Sequence, residues 1–76
     1  MMTAKVYHSK PYRSEWRLTV AAKVISYHAT QAKAYLAALR AGRAVERDGG
    51  VASAVLHNRD GSVQRKRTFG LGARPH

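Results

Sequence analysis

HATQAKAYLAALRAGRAVERDGG, residues 28–50, decides the fold. Thr30 is placed to cap a helix, because its hydroxyl can accept one of the orphan N–H groups of the first turn. The following residues 31–47 are dense in Ala and Leu and contain no Pro. Ala32, Tyr35, Leu36 and Leu39 recur at i, i+3, i+4 and i+7, the spacing of one apolar stripe. Gly42 is expected to weaken or end the helix, and Asp48-Gly49-Gly50 to terminate it. A single amphipathic helix cannot bury its stripe alone, so it predicts a sheet on which to dock.

The flanks supply that sheet. EWRLTVAA (15–22) alternates, with Trp16, Leu18 and Val20 on one side and Arg17 and Thr19 on the other, which predicts a half-buried strand. VISYHA (24–29) is rich in β-branched and aromatic residues and predicts a second. Ala21-Ala22-Lys23 between them lacks the Gly or Asn of a tight hairpin, so the turn is not defined by the sequence. After the helix, VASAVLH (51–57) alternates again. Asn58-Arg59-Asp60-Gly61 is a strong turn, and SVQRKRTF (62–69) returns with Val63, Arg65, Arg67 and Phe69 on one face and Lys66 on the other. AKVYH (4–8) reads as a short edge strand, broken by Pro11. The expected fold is α+β, ββαββ, with one helix on an antiparallel sheet of about four strands. Residues 1–70 form one domain and 71–76 a frayed tail. Trp16, Leu18, Val20, Ile25, Tyr35, Leu36, Leu39, Val55 and Phe69 are the expected core. One sheet face is left open, or covered by a second subunit.

Composition narrows the function. Fourteen Lys and Arg oppose four Asp and Glu, a formal net charge of +10 in 76 residues. Such an excess repels itself in the folded state and favours a polyanionic partner. There is no cysteine, hence no disulfide framework or thiolate metal site. No apolar stretch approaches the roughly 20 residues of a membrane span, and the first residues are too polar for a secretory signal. A cytoplasmic protein without membrane association is expected.

EWRLTV with its Trp16, the helix start HATQAKAYLAAL, and the closing HNRDGSVQRKRTFG together resemble a family known as domain of unknown function 2188, short bacterial and phage-related proteins. The resemblance covers roughly residues 4–70 and is carried most by the polar Asp-Gly turn followed by a basic strand closing on an aromatic and Gly. Relative to that pattern the helix is longer and the turn at 21–23 shorter. The resemblance implies the fold and no activity.

Catalysis finds little support. Of the four carboxylates, Asp60 belongs to a turn and Asp48 to the loop after the helix; Glu15 and Glu46 do not form an acid–base pair. His8, His28, His57 and His76 show no metal-ligand spacing, although His28 and His57 could meet across strands. No cofactor and no metal are expected. The cations stand out instead. Arg65, Lys66 and Arg67, with Arg59 in the turn, predict a cationic fork at the hairpin tip. Lys33, Arg40 and Arg47 lie seven apart on the helix, with Arg43 nearby, and lack acidic partners at i, i+4. Tyr7, Tyr12 and Tyr27 can be exposed, and the first two lie among Lys5, Lys10 and Arg13. The expected function is a non-enzymatic module that binds DNA or RNA through phosphates, using Arg59, Arg65, Lys66, Arg67, Lys33, Arg40, Arg43 and Arg47. The alternative is an adaptor or phage-type effector docking on an acidic protein. A homodimer covering the open face is compatible with both.

Overall fold

A computed structural model describes residues 4–70, so the tail expected over 71–76 lies outside the described residues. Strands β1 (Lys5–Tyr12), β2 (Glu15–Val20) and β3 (Lys23–His28) form a meander; helix α1 (Gln31–Arg47), β4 (Ala52–His57) and β5 (Val63–Phe69) follow. The sheet order is β3-β2-β1-β4-β5. The class is α+β, with one helix over a sheet, as expected. The details differ: there are five strands rather than about four, the order is βββαββ, and the sheet is mixed.

The mixed character follows from the helix. β3 leaves the sheet at one end, and seventeen residues of α1 span about 25 Å at 1.5 Å per residue, carrying the chain back to the other end. β4 therefore starts where β1 starts and pairs with it in parallel, Lys5 opposite Ala52 through Ser9 opposite Leu56. β1 is thus the central strand, not the edge strand that Pro11 predicted. Pro11 is tolerated because pairing with β4 stops at Ser9, and only β2 continues alongside, with Trp16 opposite Pro11.

Thr30 caps the helix, its hydroxyl accepting from the Lys33 N–H at 3.1 Å. At the other end the Gly50 N–H donates to the Val45 carbonyl and the Gly49 N–H to the Glu46 carbonyl, both at 2.9 Å, with Gly49 at φ +85°. This Schellman arrangement needs the left-handed conformation that glycine adopts without penalty. Gly42 does not end the helix. A Cβ there would lie 2.6 Å from the Phe69 ring, so the missing side chain is the space the ring fills.

The helix meets the sheet through Ala34, Ala38 and Gly42, all buried, so its backbone comes close to the strands. Tyr7, Leu18, Ala38, Ala52, Ala54 and Phe69 form the core, with Val20, Tyr35, Leu39 and Val45 packed around it. Burial of a Leu or Phe of this kind contributes about 1.5–3 kcal/mol. Two core expectations are corrected, and one residue is added to the core. Leu36 is 47% exposed because the small residues, not the large ones, face the sheet. Ile25 is 49% exposed, being the extra residue where β2–β3 pairing slips from Leu18–Ser26 to Thr19–Val24. Tyr7, expected among the exposable rings, is core. Val55 is buried, but its strand neighbours Ala54 and Leu56 take the helix side, so it lies on the opposite face.

Both meander turns use two residues. Arg13 has φ +57°, and Ala21 and Ala22 have φ +51° and +64°. Positive φ at both central positions, as at Ala21 and Ala22, is the signature of a type I′ turn, the connection whose twist suits a hairpin. Alanine meets this demand at a steric cost, which is why the sequence did not reveal it. The β4–β5 turn is as expected from Asn58-Arg59-Asp60-Gly61. The Gly61 N–H reaches the Asn58 carbonyl, Gly61 has φ +92°, and Asp60 accepts from both the Ser62 N–H and hydroxyl.

Candidate nucleic-acid interface

Side-chain alternation sorts the basic residues onto different surfaces. Arg40, Arg43 and Arg47 leave α1 at spacings of three and four and share one flank of the helix. Arg67 stands opposite Ala54 and Phe69 opposite Ala52, so both point to the helix side of edge strand β5. These four arginines, with Glu46, Thr68 and Phe69, line a groove between α1 and β5 of about 460 Å³. The Phe69 ring steadies Arg67, whose guanidinium carbon lies 5.2 Å from the ring centroid. Among the described residues, the one carboxylate in the groove is committed to the fold, Glu46 accepting from the Gly70 N–H at 2.8 Å. Arg65, opposite Leu56, follows Arg67 on the same side of β5.

The fork expected at the hairpin tip is split. Lys66 is opposite Val55 and projects from the other sheet face. Arg59 is exposed, its guanidinium carbon 5.9 Å from the Trp16 ring centroid. Lys33 is exposed in the first helical turn and does not line the groove.

The open sheet face carries a second cluster. Lys10 and Arg17 sit directly opposite one another on β1 and β2, and Arg17 is in turn opposite Tyr27 on β3. The Arg17 and Arg13 guanidinium carbons lie 4.6 Å and 5.4 Å from the Tyr12 ring centroid. Tyr12 and Tyr27 are 6.3 Å apart, tilted, and 37% and 56% exposed. Arg17 Nε has no hydrogen-bond partner among the described residues. The sequence pointed to Tyr12, Lys10, Arg13 and Tyr27. The part of Arg17 was missed, though its alternation away from Trp16 was the available signal.

His57 meets His8, not His28, because β1 rather than β3 borders β4. His8 Nδ1 and His57 Nε2 are 2.9 Å apart, and His57 Nδ1 is 2.9 Å from the Gly61 carbonyl. That carbonyl can only accept, so His57 carries its hydrogen on Nδ1 and, when neutral, accepts from His8 Nδ1–H. Burial, followed by the neighbouring His57 and Lys10 charges, holds His8 below the ordinary histidine value. His28 instead bonds the Ser26 hydroxyl at 2.8 Å. Among the described residues no three His, Cys, Asp or Glu side chains gather as a metal site, and no helix is long and apolar enough to cross a membrane.

The fold and these surfaces define a small, strongly basic α+β domain with one helix over a mixed sheet. The chain belongs to the family described as uncharacterized protein conserved in bacteria (DUF2188), whose profile matches residues 7–69. Neither the curated proteins nor the solved structures contain a match.

Proposed function

We propose that this protein is a non-enzymatic nucleic-acid-binding module that grips phosphates in the groove between α1 and β5. The observation that carries the reading is the convergence of Arg40, Arg43, Arg47 and Arg67 on one concave surface whose carboxylate, Glu46, is engaged by backbone. Four guanidinium groups brought together repel one another, a cost that a bound polyanion removes. Arginine's planar fork matches phosphate oxygens in pairs, which suits this geometry better than scattered lysines. Arg65 extends the groove along β5, while Lys66 faces away from it and Lys33 and Arg59 stand outside it.

The test is binding of labelled DNA and RNA at several salt concentrations. Neutralised phosphates release counterions, so log affinity should fall linearly with log salt, by about 0.7–0.9 per phosphate contact. Replacing Arg40, Arg43 and Arg67 with Ala should flatten that slope by about two to three. A control that removes the same charge elsewhere, Lys33→Ala with Arg59→Ala and Lys66→Ala, should affect it less. Equal losses in both triple variants would refute the groove assignment. Loss of the partner from a nuclease-treated lysate supports the nucleic-acid reading. Survival of an acidic protein partner there supports the adaptor reading instead.

A further inference from the structure

Resting on that reading, we infer that the nucleic acid is single-stranded and that Tyr12 and Tyr27, on the open sheet face, are the platform on which its bases stack. Two exposed rings 6.3 Å apart on one sheet face, Tyr27 the more open and Tyr12 lying under the Arg13 and Arg17 guanidiniums, offer π-faces and cations together. Stacking of this kind accepts any unpaired base, because every base has a π-face. A duplex keeps its bases stacked on each other and cannot use it.

The charges at the platform are arranged against the fold's own interest. Lys10 and Arg17 are directly opposite on antiparallel strands, a like-charge pairing that destabilises a sheet. Glu15, opposite Tyr12, is the acidic residue on this part of the face. A phosphate between Lys10 and Arg17 would convert their repulsion into attraction. The occupant is therefore an anionic strand that also carries aromatic bases.

The placement of the two basic surfaces points the same way. The groove lies on the helix side at β5 and the platform on the opposite face at β1–β3. Lys66, beside Arg67 in sequence but on the open face, stands between them at the β5 edge. The molecule measures 38 × 23 × 18 Å, so passing from one face to the other means turning within a few nucleotides. A single strand is flexible enough to do so. A duplex, with a persistence length of about 150 base pairs, is not.

The experiment compares fluorescein-labelled oligothymidylate with a duplex of equal length by fluorescence anisotropy at low salt. The single strand should bind at least about tenfold more tightly. Tyr12→Ala and Tyr27→Ala should each weaken that binding by about tenfold, whereas Tyr12→Phe and Tyr27→Phe, which keep the ring, should stay within about twofold. None of the four should alter duplex binding, and circular dichroism reports whether each variant is folded. Tighter duplex binding, or single-strand binding indifferent to ring removal in folded variants, overturns the platform while leaving the groove reading standing. Binding of neither nucleic acid overturns both.

Discussion

At the scale of single residues, the fold carries two features that stability measurements can read. Ser9 is fully buried on the helix side of β1, and its hydroxyl has no hydrogen-bond partner among the described residues. A buried unsatisfied polar group costs about 1–3 kcal/mol, so Ser9→Ala should raise the unfolding free energy, by about 1 kcal/mol once the small cavity is counted. Denaturant titration checks this, and an unchanged or lower midpoint would contradict it. His8 makes stability depend on pH. Its folded value is lowered by burial and by the charges of His57 and Lys10, so the unfolded chain binds the proton more readily. The stabilisation is therefore complete above the unfolded value near 6.5 and declines as pH falls through the lower folded value. Unfolding midpoints should drop from neutral pH toward the acid side, and His8→Gln should flatten that dependence. Asp60, also lowered, by its bonds to Ser62, acts in a separate window below the ordinary carboxylate value.

At the scale of elements, the β2–β3 turn is the strained piece. Ala21 and Ala22 both occupy positive φ, where asparagine and glycine are at home. The double substitution Ala21→Asn with Ala22→Gly should stabilise the protein by about 1 kcal/mol or more, since the left-handed conformation costs a residue with a Cβ roughly that amount. A thermal midpoint that fails to rise would contradict this turn assignment. The same turn shows why parts of the fold were hidden in the sequence. The capped helix, the Asn58–Gly61 turn and the alternation of β2, β4 and β5 from Arg65 to Phe69 were legible because each has a local chemical cause, whereas the slip between Leu56 and His57 puts Val63 opposite His57, off the face it was expected to share with Arg65. The place of β1 was not, since strand order depends on how α1 crosses the sheet, and Pro11 concealed a central strand. The helix face misled for a related reason. Tyr35, Leu36 and Leu39 are the larger side chains, yet Ala34, Ala38 and Gly42 make the close contact because small residues admit the backbone.

At the scale of the whole molecule, charge is the feature that the fold organises and does not neutralise. Of the eight cations singled out from the sequence, the structure brings Arg40, Arg43, Arg47 and Arg67 into one groove, with Arg65 beside it. It sends Lys66 to the opposite face and Arg59 over Trp16, and leaves Lys33 at the helix start. The composition announced a basic surface, but which residues share it depended on strand faces and on a mixed sheet that the sequence did not disclose. On this reading the groove binds nucleic acid through its arginines. Its most direct test is the salt dependence of oligonucleotide affinity for the natural chain beside Arg40→Ala/Arg43→Ala/Arg67→Ala. The slope should be steeply negative for the first and shallower by about two to three for the second. Identical slopes, or no binding by the natural chain at low salt, would contradict it.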